Sequence, residues 1–193
     1  VVSKEGGKII HTTIYETDTN LQKSTAQIEL KKDGSAVASI DMTTSGYQYS
    51  FKDQWDKKSQ KDLKKAYSNY WSHLNGIHID KAKVITDVEL VEVRESVNLT
   101  VDKYGSKTGD LLLIQPVFFN RNDSEPTKYK DRYTDFEIDR GYVDVDNYEI
   151  KLDIGFKVDA LPDNVELKSK FGNYKLTITD TGSGSLKIIR YLK

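Results

Sequence analysis

The sequence contains no cysteine, which excludes disulfides, thiol catalysis and thiolate metal sites. Histidine is scarce too. His11, His73 and His78 lack the spacing of a zinc motif, which needs three or four convergent ligands. No Gly-x-Ser-x-Gly elbow is present, and Ser183 sits in a Gly-Ser-Gly-Ser turn. Long hydrophobic runs are missing: none approaches the ~20 residues of a membrane helix. The longest, Leu111 to Phe119, holds Gln115 and Pro116. No signal peptide is visible, and the abrupt start at Val1-Val2-Ser3 reads as that of an excised piece. Neither sign of charge is in excess, with 29 Lys and Arg against 30 Asp and Glu. A net charge of -1 gives no global pull toward nucleic acid or an anionic membrane. We therefore expect no nucleic-acid partner, no membrane insertion, no metal and no cofactor.

What the sequence does contain is alternation of apolar and polar residues, the pattern of half-buried strands. Ala26, Ile28 and Leu30 face one way, and Gln27, Glu29 and Lys31 the other. Lys32-Asp33-Gly34-Ser35 supplies a tight turn, and Ala36, Ala38, Ile40 and Met42 return on one face. Gln22 to Thr44 is thus an expected hairpin. Further strands are expected at Lys83 to Arg94, with a bulge between Leu90 and Val91, and through Val97, Leu99 and Val101. Tyr104 to Gly109 reads as a turn and Leu111 to Phe119 as a buried strand. Asn120 to Lys130, with Pro126, is the longest loop and the segment expected to be most mobile. Strands follow at Tyr133 to Ile138, Val143 to Ile154, Val165 to Leu167, Tyr174 to Thr179 and Leu186 to Leu192, with Thr181 to Ser185 as a hairpin loop.

One segment has a helical period. Leu63, Ala66, Tyr67, Tyr70, Trp71 and Leu74 share a face, so an amphipathic helix is expected over about 59–75. Ser59 and Asp62 form an acidic capping box at its start. Lys57, Lys58, Lys61, Lys64 and Lys65 read as a solvated face. Many short strands with one helix predict a mainly β fold, an antiparallel β-sandwich. At 193 residues the chain suits one large β region, 1–193, or a β-plus-helix region over 1–108 followed by a C-terminal sandwich over 109–193.

Two segments resemble one family. Gly6 to Tyr15, GGKIIHTTIY, is similar to the stretch after the catalytic domain in bacterial transglutaminase-like proteins. The hairpin Asn20 to Gly34 and Ser45-Gly46-Tyr47-Gln48-Tyr49 fit the same region. Asp146 to Pro162, DNYEIKLDIGFKVDALP, resembles that family's C-terminal β domain. The chain departs from the pattern at Thr13, where proline is common, and at Leu152-Asp153-Ile154. The resemblance implies an accessory β region beside a papain-like catalytic domain, in a periplasmic or cell-surface protein. It carries over no catalytic residue, so the chain itself is not expected to be an enzyme. The expected function is docking on that neighbouring catalytic domain or on a cell-surface protein.

Acidic residues gather at Asp135, Glu137, Asp139, Asp144, Asp146 and Asp153. Asp144-Val145-Asp146-Asn147 resembles half a calcium loop, without the Gly and Glu that complete an EF-hand. The plain reading places these acids on the wet face of a strand. The LDIGFKVDALP run should send Ile150, Leu152 and Ile154 into the core, turn at Gly155, re-enter with Phe156 and Val158, and stop at Leu161-Pro162. Aromatics cluster in Tyr47, Tyr49, Phe51 and Trp55, then Tyr67, Tyr70 and Trp71. They suit either a mini-core between sheet and helix or an exposed stacking surface. Tyr47, Tyr49, Trp55 and Trp71 are the candidate ligand or partner contacts. The alternative function is accordingly a carbohydrate-binding module with a glycan as partner. Asn98-Leu99-Thr100 and Asn122-Asp123-Ser124 are glycosylation sequons.

Overall fold

The computed structural model describes residues 2–4, 6, 7, 9–121, 127, 129–131, 133–135 and 137–193. The sequon at Asn122 and the proline of the loop, Pro126, lie outside them. In chain order the strands are β1 (Val2–Ser3), β2 (Gly6–Gly7), β3 (Leu21–Leu30), β4 (Ala36–Ser45), β5 (Ile77–Asp87), β6 (Glu92–Val101), β7 (Gly105–Thr108), β8 (Leu111–Ile114), β9 (Val143–Leu152), β10 (Val165–Ser169), β11 (Gly172–Asp180) and β12 (Ser185–Leu192). Eight of them form one sheet ordered β10-β11-β12-β9-β3-β4-β6-β5, while β1 pairs with β2 and β7 with β8. Every pairing in the large sheet is antiparallel except β3 with β9, which run parallel over ten residues. The fold is mainly β, as the alternation implies.

β3 and β4 pair with Gln22 opposite Thr44 and Leu30 opposite Ala36, the register that puts Ala26, Ile28, Leu30, Ala36, Ala38, Ile40 and Met42 on one face. Gly34 closes their turn at φ 87°, and a Cβ there would lie 2.8 Å from the Gly105 carbonyl oxygen. Only glycine meets both conditions without a shift. The opposite layer consists of helix α1 (Gln60–Tyr70), 3-10 turns at Gly46–Phe51 and Trp55–Lys57, the β7–β8 hairpin and the irregular run through Phe119. Leu63, Tyr67, Trp71, Leu74, Phe118 and Phe119 descend from it onto Ile28, Ile40, Val97, Leu99, Ile150 and Ile188 of the sheet. One large sheet and a mixed second layer enclose a single apolar core, a sandwich-like arrangement.

The helix starts as expected. Ser59 Oγ accepts the Asp62 N–H at 3.2 Å and donates to the Asp62 carboxylate at 2.7 Å. It ends at Tyr70, short of the expected limit. Trp71 N–H still reaches the Tyr67 carbonyl at 2.9 Å, but Leu74 N–H bonds Trp71 O, three residues back. This tighter turn keeps Trp71 and Leu74 pointing inward after the helix has stopped. The five lysines at and before its first half are exposed, as a solvated face requires.

Several local expectations are corrected. Leu90 and Val91 form no bulge: residues 88–91 are the turn joining β5 to β6, and Val91 has φ 51°. The irregularity of this pair lies instead between Ile79 and Lys81. Tyr104 to Gly109 is no simple turn, since Gly105 to Thr108 pair as β7. Leu111 to Phe119 is strand only to Ile114, because Pro116 has no N–H for a ladder. Leu111 and Leu113 point outward, whereas Phe118 and Phe119 are buried without strand structure. No described residue from Tyr133 to Ile138 is in a strand. β9 ends at Leu152, and Ile154 is exposed rather than in the core. Beyond it Gly155 turns, and Phe156 and Val158 are half-buried but unpaired.

Candidate functional site

The core face of the sheet changes character along the strands. The rows Ala36–Leu30–Leu152, Ala38–Ile28–Ile150–Leu186 and Ile40–Ala26–Tyr148–Ile188 are almost wholly apolar. The next row, Glu95–Met42–Ser24–Asp146–Arg190, carries three charges. The last, Val93–Thr44–Gln22–Asp144–Leu192, is polar at its three central positions. All these polar residues are buried. Burying them is tolerable only if each is paired.

Two ion-pair networks meet that need for Glu95, Ser24, Asp146, Arg190 and Asp144. Lys52, from the 3-10 region after β4, places Nζ 2.8 and 3.1 Å from the two carboxylate oxygens of Glu95. The Tyr67 hydroxyl donates to Glu95 Oε1 at 2.6 Å, and the Lys52 ammonium lies 4.1 Å from the Tyr70 ring centre. Burial, with the Glu95 charge beside it, pushes the Tyr67 phenol far up, so it stays a donor. In the second network Arg190 Nε and Ser24 Oγ donate to Asp146, Tyr148 adds a bond at 3.0 Å, and Arg190 also reaches Asp144 at 3.3 Å. Burial holds the Asp144 carboxyl above its usual range, against the opposing pull of Gln48 and Arg190. Tyr148 is pushed well up by burial and then by Asp146.

Between the networks lies a cavity of about 420 Å³, lined by Gln22, Thr44, Gln48, Phe51, Lys52, Trp55 and Tyr70. Gln48 holds one wall: its amide nitrogen donates to Asn20 O, Val143 O and Asp144 Oδ1 at 3.1–3.3 Å. Thr44 Oγ1 is buried and, among the described residues, has no hydrogen-bond partner. The rim is aromatic. Phe51 and Tyr70 are exposed, and Trp55 meets Tyr70 edge to face with centroids 6.2 Å apart.

Of the four aromatic candidates, one lines this cavity. Trp55 does so while packing on Tyr67 at 5.0 Å. Tyr49 is half-buried against the core, and Tyr47 pairs edge to face with Phe51 under the Arg140 guanidinium. Trp71 is fully buried and donates its indole N–H to the Phe119 carbonyl at 3.0 Å, so it is a core residue and contacts no ligand. Asp144 and Asp146 are not wet-face acids: they are buried and both are paired with Arg190. Sequence reasoning missed Gln22, Thr44, Gln48 and Lys52. The period-2 phase of Ile28 and Ile40 runs back to Gln22 and on to Thr44, and that phase was the available signal.

Two other features lie outside this site. Residues 9–16 form an extended arm without strand pairing, and Ile9, Ile10 and Ile14 are 90%, 56% and 84% exposed. A groove of about 340 Å³ lies between β8 and residues 156–162, walled by Leu112, Ile114, Pro116, Phe156, Val158 and Leu161. No described helix is long and apolar enough to cross a membrane, which says nothing of a β-barrel.

No curated protein and no solved structure matches the chain. Residues 110–193, under half of the chain and the source of β8 to β12, match DUF3858, a family described as a domain of unknown function with a solved structure.

Proposed function

We propose that the chain is a non-catalytic accessory β module that docks on a neighbouring catalytic domain of the transglutaminase type, in a protein of the periplasm or cell surface. The arm at residues 9–16 carries this reading. Three isoleucines exposed in one unpaired segment present apolar surface that water disfavours and a packed neighbour would cover. The arm directly follows the Gly-Gly-Lys motif that resembles the stretch after such a catalytic domain. The described buried charges support a binding role over catalysis. Lys52 pairs with Glu95, and Arg190 bridges Asp144 and Asp146, so each of these charged groups is engaged by a partner inside the fold.

Hydrogen exchange of residues 9–16 tests the proposal, measured alone and with a purified papain-fold transglutaminase domain from a protein sharing the Gly-Gly-Lys motif. Exchange should be fast alone and slowed in the mixture, and the I9E/I14E variant should lose the slowing. Unchanged exchange in the mixture would overturn the docking. Turnover of a peptide-amide substrate by the chain alone would overturn the non-catalytic assignment.

A further inference from the structure

We infer that the cavity between the two ion-pair networks is a saccharide site that takes a single neutral pyranose ring. It does not depend on the docking proposal, because the cavity is formed without the 9–16 arm. Its volume of about 420 Å³ falls at the lower end of small-molecule sites, which run from roughly 300 to 1,000 Å³.

Three properties of the lining select the ligand class. The first is the floor. Thr44 is 3% exposed and its hydroxyl has no partner among the described residues, a state that disfavours the empty site. Gln22, 8% exposed, lies beside it across the β3–β4 ladder. Gln48 has committed its amide nitrogen elsewhere, and its oxygen has no hydrogen-bond partner among the described residues. A ligand hydroxyl, both donor and acceptor, suits a threonine hydroxyl and two amides together; a purely apolar ligand would leave them unmet.

The second property is the rim. Phe51, Trp55 and Tyr70 present aromatic surface over a polar floor. A pyranose has this division, with C–H groups on a ring face and hydroxyls around its edge. Trp55 and Tyr70 stand at 85° to one another, so they form the walls of a pocket and no flat platform. That geometry fits one sugar unit and disfavours a surface that tracks a polysaccharide chain.

The third property is charge. Among the described lining residues Lys52 is the one cation, and Glu95 holds its ammonium at 2.8 Å. A phosphate or carboxylate would have to compete with that buried pair. A neutral sugar would not.

Calorimetry and tryptophan fluorescence on the intact chain test the inference, using glucose, galactose, N-acetylglucosamine and their methyl glycosides. At least one should bind with a millimolar dissociation constant and perturb Trp55 emission. The T44V variant should weaken binding by roughly 5–10-fold, the loss of one hydrogen bond, while its thermal midpoint stays level or rises. F51A should weaken binding without unfolding the chain, since Phe51 is 64% exposed. No binding by the wild-type chain, or binding that T44V and F51A leave unchanged, would overturn the assignment. Inorganic phosphate binding more tightly than every neutral sugar would overturn it as well.

Discussion

Replacing Lys52 by methionine keeps most of the side-chain volume and removes the charge. The Lys52 and Glu95 side chains are 5% and 0% exposed, so the pair is held largely out of solvent. Glu95 would be left with the Tyr67 hydroxyl at 2.6 Å as its remaining side-chain partner among the described residues. Breaking a buried pair on one side costs about 3–5 kcal/mol, because the surviving charge stays desolvated. Domains of this kind have about 5–15 kcal/mol of stability in all. With an m-value of about 2 kcal/mol/M, the urea midpoint of K52M should fall by roughly 1.5–2.5 M. Removing the carboxylate as well should recover much of the loss, but E95L strands the Tyr67 hydroxyl at about 1–3 kcal/mol. The triple variant K52M/E95L/Y67F removes all three polar groups and should lie well above K52M. Urea titration followed by circular dichroism measures the series. A K52M loss below about 1 kcal/mol, or a triple variant no more stable than K52M, would refute the claim that this pair is buried and mutually dependent.

Asp144 carries a pH signature. Its folded pKa is raised by burial, so the folded state binds its proton more tightly than the unfolded chain does. The Asp144 contribution is therefore greatest below the ordinary aspartate range and falls as pH rises through the folded value. D144N should flatten the loss of thermal midpoint between weakly acidic and neutral pH, and an unchanged slope would count against the assignment. Val91 is β-branched at φ 51°, a conformation that costs about 1–2 kcal/mol. V91N should raise stability by about 1 kcal/mol in the same urea assay, and a loss would show that Val91 packing outweighs its backbone strain.

The hairpin of β3 and β4 and the cap at Ser59 were legible because each follows from neighbours within a few residues. Alternation fixed the faces, Asp-Gly the turn, and Ser59 with Asp62 the helix start. The β5–β6 turn was hidden because Val91 is the wrong residue type for a left-handed position. Pro116 has no N–H for a ladder, yet the apolar run around it reads as one strand. The networks were illegible for a different reason. Asp144, Asp146 and Glu95 look like solvent-facing acids until their partners are known, and Arg190 lies 44 residues from Asp146. Local pattern carries no information about such a pairing. The cavity follows from the same long-range registers, since Gln22 and Thr44 become its floor only once the sheet is assembled.

The parallel ladder between β3 and β9 has a kinetic consequence. Ser24 and Asp146 are 122 residues apart, so closing that loop costs about 4 kcal/mol of chain entropy before any contact offsets it. The hairpins β3–β4, β5–β6 and β11–β12 close over short loops and should form early. Until β9 joins β3, each half of the sheet carries a ten-residue open edge, and the β9 edge includes Tyr148 and Asp146. The slow step and the aggregation hazard of folding thus converge on one seam, between the first four strands of the sheet and the four supplied by residues 110–193.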